Sequence, residues 1–377
     1  MKIGIDIRPL EAPHYGGVSE YINNLLPELF RLGAKHRFIL FRNSLKKSRQ
    51  DYHKFLEYKN VSIKSFRFPN KFLFFTSRFV SWPKIDKLLG GVDTLFCPHF
   101  FSAPVSKNCR KIITFHDLSF VDFPEFFDFK RRIWHKLLSP KKQAKNADYI
   151  ISVSNSTKQD LVNFYNVPPE KISTVYLGIN KKLLNDRLIK VKNLPHNYIL
   201  SLSVIGPRKN LISLIRAFNV LKQDSNFGNT HLVLAGGFER FYKKKIKKEI
   251  KKSPYLDKII LLGQVSEKQK VVLYKNAQLF VYPSLYEGFG LPPLEAMYCG
   301  VPTVVSHNTS LPEATGGAAL LIDPYRPKIL AKHIKDILTD KRLYNDLLYK
   351  GRKQAEKFDW EKTAKETLDI LEIIPVL

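Results

Sequence analysis

The chain has 377 residues, 44% of them hydrophobic and 25% charged, and its 62 Lys+Arg against 34 Asp+Glu give a formal charge of +28. This composition excludes a disordered or fibrous chain, and a length beyond about 250–300 residues points to two cores rather than one. Cysteines at 97, 109 and 299, with no CxxC pair, exclude a disulfide framework and a Cys-based zinc site and fit a reducing compartment.

From the N-terminus, MKIGIDIRPL enters a strand-like run with no apolar leader, so no signal peptide is expected. Short, nearly continuous apolar runs then recur at Ile3–Ile7, Phe38–Phe41, Val61–Phe66, Thr94–Cys97, Ile112–Phe115, Tyr149–Val153 and Ile172–Tyr176. A second series follows at Tyr198–Leu202, His231–Ala235, Ile259–Leu262, Leu279–Tyr282, Val301–Val305 and Ala319–Ile322. Runs without polar alternation are strands buried on both faces, hence parallel sheets covered by helices. Helical patterns lie between them, for example Ser156–Tyr165, Leu211–Lys222 and Pro327–Thr339. No run reaches the about 18 apolar residues that a membrane span needs.

Two successive β/α series predict an α/β protein of two doubly wound, Rossmann-like domains facing each other across a cleft. The expected boundaries are 1–180 for the first domain, 181–197 for a polar, strand-poor linker and 198–357 for the second domain. A last helical segment, 358–377, is free to cross back to the first domain. Ligands bind outside the carboxyl ends of parallel strands, so the cleft is the expected site.

The positive charge suits nucleic acid, an anionic membrane surface or a phosphate-bearing substrate, or is simply a solvated lysine-rich surface. Lys243–Lys252 reads as a surface helix with a narrow buried stripe at Ile246 and Ile250. The stretch Phe66–Phe79 differs, because it interleaves six phenylalanines with Arg67, Lys71 and Arg78. Such a segment either packs into the core or lies in a membrane interface, with rings at the acyl boundary and cations on lipid phosphates.

Several chemistries are missing. There is no P-loop, no GxGxxG, no Asp-x-Asp to hold a metal diphosphate, no HExxH and no GxSxG. The densest constellation is Tyr282–Ala296, in which a buried strand is followed by a loop with Gly288 and Gly290 and by a helix beginning near Pro293. Loop amides and a helix N-terminus make an anion site. Glu287 and Glu295 flank it; carboxylates repel phosphate, so sugar hydroxyls are their expected targets. Taken alone, either Glu reads more simply as part of a tight turn or as a helix cap.

Other segments are weaker alone. Gly16-Gly17 open a helix at Val18, either as an ordinary turn or as amides that meet a phosphate. His116 ends the strand Ile112–Phe115 and precedes Asp117, as a structural histidine or as one at the cleft edge. Arg208-Lys209 sit between the strand Tyr198–Leu202 and the helix at Leu211, as solvated cations or as a clamp on an anion.

Taken together, Glu287-x7-Glu295 with Gly288-Phe289-Gly290, Gly16-Gly17, Phe115-His116-Asp117, Ser152-Val153-Ser154 and Gly206-Pro207-Arg208-Lys209-Asn210 resemble the signature of the retaining, nucleotide-sugar-dependent glycosyltransferases of family 4, with the GT-B fold. Many members carry Gly-Arg several residues before the Lys; here Ser203-Val204 stand there and Arg208 adjoins Lys209, a form that a subset shares.

The resemblance implies a retaining, metal-independent hexosyl transfer to an acceptor hydroxyl. The family contains no agreed protein nucleophile, so front-face attack through an oxocarbenium-like ion pair is expected, with the departing phosphate taking the acceptor proton. It implies Glu295 on the donor ribose, Glu287 and His116 on the transferred sugar, and Lys209, Arg208, Gly16, Gly17 and the Gly288, Phe289, Gly290 and Leu291 amides on the diphosphate. The opening Gly-Ile-Asp-Ile-Arg resembles bacterial and archaeal polysaccharide mannosyltransferases, which makes GDP-mannose the expected donor, ahead of UDP-hexoses. The expected acceptor is a glycan or lipid-linked glycan in polysaccharide biosynthesis. The expected place is the cytoplasm, with peripheral attachment to an anionic membrane face left open. No cofactor, metal or nucleic-acid partner is expected. Two other readings remain: a non-transferring GT-B enzyme such as a nucleotide-sugar epimerase, which needs carboxylates or a His pair for proton removal, and a basic nucleic-acid-binding protein, in which the Glu287/Glu295 loop has no role.

Overall fold

The structure is a computed structural model that describes all residues except 12–15, 46–51, 186–190, 192–193, 240 and 374–377. The chain divides into two compact units. The N-terminal unit comprises Met1–Asp122, Phe129–Gly178 and Trp360–Leu377, and the C-terminal unit comprises Phe123–Asp128 and Ile179–Asp359. The stretch 181–197 lies partly outside the described residues; its first turn is a short helix, Lys181–Leu184, capped by the Asn180 side chain.

The N-terminal unit is built on strands β1 (Lys2–Asp6), β2 (Arg37–Asn43), β3 (Val61–Phe66), β4 (Thr94–Cys97), β5 (Arg110–Phe115), β6 (Tyr149–Ser152) and β7 (Ile172–Thr174). They form one seven-stranded sheet in the order β3-β2-β1-β4-β5-β6-β7. Every pairing is parallel. β4 is buried at all four positions, as its apolar run requires, whereas edge strand β3 is half-buried to exposed. Helix Gly17–Leu32 buries Tyr21, Ile22, Leu25, Leu26, Leu29 and Phe30, a 3.6-residue stripe against the sheet. Helix Trp360–Glu372 packs with it: Trp360 lies 6.1 Å from the Tyr21 ring, and Thr363 Oγ1 donates to the Tyr176 carbonyl at 2.8 Å.

The C-terminal unit repeats the plan with β8 (Tyr198–Leu202), β9 (His231–Ala235), β10 (Ile259–Gly263), β11 (Leu279–Tyr282), β12 (Thr303–Ser306) and β13 (Leu320–Ile322). The order is β10-β9-β8-β11-β12-β13, again all parallel. β12 starts two residues after the expected Val301, because Pro302 has no N–H to give a ladder.

Each sheet begins in its middle and runs first one way, then the other. The reversal puts β1 beside β4 in the first unit and β8 beside β11 in the second. Loops leaving the carboxyl ends of such a pair diverge to opposite sides of the sheet and leave a crevice for a ligand. The loops after β1, β4, β8 and β11 are therefore where each unit is prepared to bind.

Candidate functional site

In the C-terminal unit, the loop after β8 tightens into a single turn, Pro207–Lys209, and Asn210 then takes a left-handed φ of 51° before helix Leu211–Leu221. This carries Lys209 inward, so it is only 7% exposed. The loop after β11 meets it. Glu287, 6% exposed, accepts from Arg208 Nη1 at 2.8 Å, from Lys209 Nζ and from Ser284 Oγ at 2.5 Å. Lys209 Nζ also donates to the Tyr282 hydroxyl at 2.5 Å, and Arg208 Nη1 donates to the Tyr286 carbonyl at 2.7 Å. Burial works to raise the pKa of Glu287, but the charges of Arg208 and Lys209 and the hydrogen bonds overcome it and hold the carboxyl at about 2. The cluster therefore holds two cations around one ionised carboxylate.

The loop is pinned from behind. Glu287 N–H donates to Thr309 Oγ1 at 3.0 Å, and Ser310 Oγ lies 2.9 Å from the carbonyls of both Glu287 and Phe289. Gly290 has φ +106°, and a Cβ there would stand 2.7 Å from Leu311 Cδ2, so both conformation and space demand glycine. The following helix is Leu291–Tyr298, with Pro293, near which it was expected to begin, in its first turn. Proline is tolerated in a first turn, where its missing N–H has no intrahelical partner anyway. The consequence is chemical: Pro292 and Pro293 have no N–H, so neither can donate from the first turn of this helix.

Glu295 is buried in an adjoining cluster. Its Oε1 accepts from Lys270 Nζ at 2.8 Å and its Oε2 from the Tyr274 hydroxyl at 2.8 Å. Lys270 and Tyr274 lie one turn apart on helix Glu267–Lys275 and were not anticipated from sequence. A signal existed, since Lys270 precedes the apolar run Val271–Tyr274, and a lysine at 7% exposure needs a partner. Thus Arg208, Lys209, Glu287 and the Gly288–Leu291 loop come together in the C-terminal unit, with Glu295 nearby through the same helix.

His116, Gly16 and Gly17 belong to the N-terminal unit. His116 packs edge-on against Tyr21 with 4.9 Å between ring centroids, and Nε2 lies 2.8 Å from the Pro98 carbonyl. Burial lowers its pKa, so the ring is neutral near pH 7 with its proton on Nε2, and Nδ1 is left as an acceptor. Asp117 turns to the helix that follows, its Oδ1 accepting from Ser119 N and Oγ at 3.1 and 2.8 Å. Ser154 caps helix Asn155–Tyr165 through Thr157 N at 3.0 Å.

Gly16 and Gly17 have open space where a Cβ would stand, and they line a cavity of about 520 Å³ with Arg8, Glu11, His99, Phe101 and Trp134 among its walls.

The segment Phe66–Phe79 divides. Phe66, Phe68 and Phe74 pack on the N-terminal core, and Leu73 is buried. Phe72, Phe75 and Phe79 stay exposed, Phe75 at 59%. A second helix, Phe129–Leu138, joins this face: Trp134 lies 4.9 Å from Phe74, and Phe129, Ile133, Trp134 and Leu137 are exposed. Arg78 ties the two together, donating to Ser139 Oγ and the Leu137 carbonyl. Among the described residues no helix is long and apolar enough to cross a membrane.

The description Glycosyltransferase Family 4 matches residues 15–183, and Glycosyl transferases group 1 matches residues 185–354. The O-antigen chain mannosyltransferase B of Escherichia coli is 30% identical over 70% of this chain and 71% of its own length. The O-antigen chain mannosyltransferase RfbU of Salmonella typhimurium is 30% identical over 66% of this chain and 65% of its own. The serotype-specific mannosyltransferase WbdA of Escherichia coli is also 30% identical over 60% of this chain, which spans only 29% of that longer protein. Among solved structures, the sucrose-phosphate synthase of Thermosynechococcus elongatus superposes with a TM-score of 0.75 at 21% identity, covering 98% of both chains. Anabaena HepE, solved with UDP and glucose, gives 0.72 at 16% identity over 99% of this chain and all of that one. With two parallel-sheet units of this topology and these relatives, the chain belongs to the family 4 glycosyltransferases and has the GT-B fold.

Proposed function

We propose that this glycosyltransferase moves mannose from GDP-mannose to a hydroxyl of a glycan or lipid-linked glycan, with retention at the anomeric carbon and without a metal. The observation that carries the reading is the Arg208–Lys209–Glu287 cluster. Charge develops on the leaving diphosphate as the glycosidic bond breaks, and fixed cations in a dry site stabilise that charge without reorganising. Glu287 keeps both cations aligned and ionised before the donor arrives. When the diphosphate enters, Lys209, Arg208 and the Gly288–Leu291 amides bind it, and Glu287 turns to the sugar hydroxyls.

Glu295, oriented by Lys270 and Tyr274, is assigned to the donor ribose. Neutral His116 is assigned to a sugar hydroxyl through Nδ1, and Gly16 and Gly17 to the phosphate side of the donor. The departing phosphate takes the acceptor proton, so the protein's work is positioning and electrostatics. Mannose is favoured by the O-antigen mannosyltransferases among the relatives. The exposed aromatic residues lie on two segments that also carry the exposed cations Arg67, Lys71, Lys130 and Lys136, which supports peripheral attachment to an anionic membrane, assigned here to the cytoplasmic face.

A thermal-shift screen of GDP-, UDP- and ADP-sugars tests the donor assignment. GDP-mannose is expected to raise Tm most, with and without EDTA; a larger rise with a UDP- or ADP-sugar overturns it.

A further inference from the structure

The binding crevices described above lie at the carboxyl ends of the strands. A second cleft, of about 680 Å³, lies at the opposite end of the N-terminal sheet, where β1, β2 and β3 begin side by side. Lys2, Lys35, Arg37 and Lys59 line it, and among the described residues Asp93 is the one carboxylate in its wall.

The sheet itself brings these cations together. β1 and β2 are parallel neighbours whose register sets Lys2 directly beside Arg37. β3 pairs Val61 with Phe38, and Phe38 N–H donates to the Asn60 carbonyl at 2.8 Å, so the turn that carries Lys59 arrives beside Arg37. Like charges at facing positions of neighbouring strands repel one another. Among the described residues, Lys2, Arg37 and Lys59 have no ion-pair partner to relieve that repulsion.

The nearby carboxylates do not cancel the charge. Asp93 Oδ2 accepts from the Lys2 backbone N–H at 2.7 Å, and Glu372, outside the lining, lies 3.1 Å from Lys35 Nζ and 2.5 Å from His36 Nε2. Even with both set against them, the four cations leave the cleft positive.

The rest of the wall says which kind of anion fits. Apart from His36, which is turned to Glu372, no ring lines the cleft, so it offers a nucleobase nothing to stack on and a membrane no aromatic edge to insert. What it offers is charge and N–H donors. The planar fork of an arginine matches phosphate oxygens two at a time, and lysines act beside it as point charges. One carboxylate or one sulfate would leave cations unanswered, whereas linked phosphates answer several at once.

We infer that this cleft binds a small polyvalent phosphate anion, a di- or triphosphate group held by Arg37, Lys2 and Lys59. It shares no residue with the Arg208–Lys209–Glu287 cluster, so the site stands whether or not the donor reading does.

The test is calorimetric titration of the full chain with tripolyphosphate in excess GDP, which fills the donor cluster. One tripolyphosphate per chain is expected to bind, more weakly as salt rises. Arg37→Ser combined with Lys59→Ser is expected to weaken binding at least about tenfold. Both positions are exposed, so Tm should hold. Lys244→Ser combined with Lys247→Ser removes the same charge from helix Lys243–Lys251 and is expected to leave binding as it was. Three results overturn the inference: no tripolyphosphate binding in GDP, binding unchanged in Arg37→Ser with Lys59→Ser, or equal weakening by the two double variants. Capture by phosphatidylglycerol vesicles through Arg37 and Lys59, with no binding of tripolyphosphate, overturns it as well.

Discussion

The two units share the same inner strand order and present opposite surfaces where their sheets reverse. Where β8 and β11 part, the C-terminal unit concentrates charge: two cations and an ionised carboxylate are locked by Ser284, Tyr282 and a loop held by Thr309 and Ser310. Where β1 and β4 part, the N-terminal unit cancels its charges in pairs and exposes neutral rings and apolar surface. A doubly wound sheet therefore fixes where binding occurs but not what is bound. The charge-dense crevice matches the diphosphate of the proposed donor, whereas the other carries no net charge of that kind.

The largest effect that would sharpen this contrast comes from Glu287→Ala. Removing the carboxylate strands two partly buried cations, and breaking such a buried pair costs about 3–5 kcal/mol. Chemical denaturation is expected to show this loss in the C-terminal unit, with amide exchange in the N-terminal unit unchanged. A loss under about 1 kcal/mol would mean that the cluster behaves as surface charge.

Lys209→Ala comes next. Turnover is expected to fall at least about tenfold, or roughly 1.4 kcal/mol of transition-state stabilisation, and Glu295→Ala to weaken donor binding by raising its Kd. Unchanged kcat/KM in both variants would remove the donor assignment.

The two units are also expected to respond differently to acid. In the N-terminal unit, burial first and then the neighbouring histidines hold the folded pKa of His99 at about 3, below the ordinary 6.5. Its unfolded state takes up a proton first, so stability is complete above about pH 6.5 and is lost as pH falls toward 3. In the C-terminal unit, Glu287 sits at about 2 against an ordinary 4.5, despite burial, because Arg208 and Lys209 favour its charged form. Its contribution is present above pH 4.5 and is lost between 4.5 and 2. Amide protection factors, corrected for the intrinsic pH dependence of exchange, are therefore expected to fall from pH 7.5 to 5.5 in the N-terminal unit and to hold in the C-terminal unit; an equal fall in both would break the contrast.

The smallest effect concerns the exposed aromatic face. A cation near an anionic leaflet contributes about 1 kcal/mol, so changing Arg67, Lys71, Lys130 and Lys136 to Ser is expected to weaken co-sedimentation with anionic liposomes at low salt. Donor affinity should stay as it was, and binding by the unaltered protein should fall at high salt. Equal binding to neutral vesicles would make the face an ordinary hydrophobic patch.

Most of the fold was legible because parallel strands buried on both faces leave unbroken apolar runs, as at Thr94–Cys97 and Tyr198–Leu202, and the observed strands follow them to within a residue or two. The C-terminal cluster was legible as a set of residues, since Glu287, Arg208 and Lys209 lie in two recognisable loops. Its pairing was not, because the contact joins residues 78 and 79 positions apart and arises only when β8 and β11 become neighbours. Lys270 hid in a helix whose surface face resembles any other lysine-bearing helix. The N-terminal cavity was legible only in pieces, as Gly16-Gly17, Arg8 and part of Phe66–Phe79. Arg8 and Glu11 on one turn, His99 and Trp134 come from three separate stretches, and which of the phenylalanines at 66–79 turn inward depends on helix Phe129–Leu138, far along the chain.

The account rests most directly on the reaction itself, followed by NMR with GDP-mannose, an octyl mannoside acceptor and excess EDTA. It predicts a new glycosidic linkage whose anomeric configuration matches that of the donor, formed at an undiminished rate in chelator. An inverted linkage, a donor that is only epimerised or hydrolysed, or activity that returns only on adding Mn²⁺ or Mg²⁺ would contradict it.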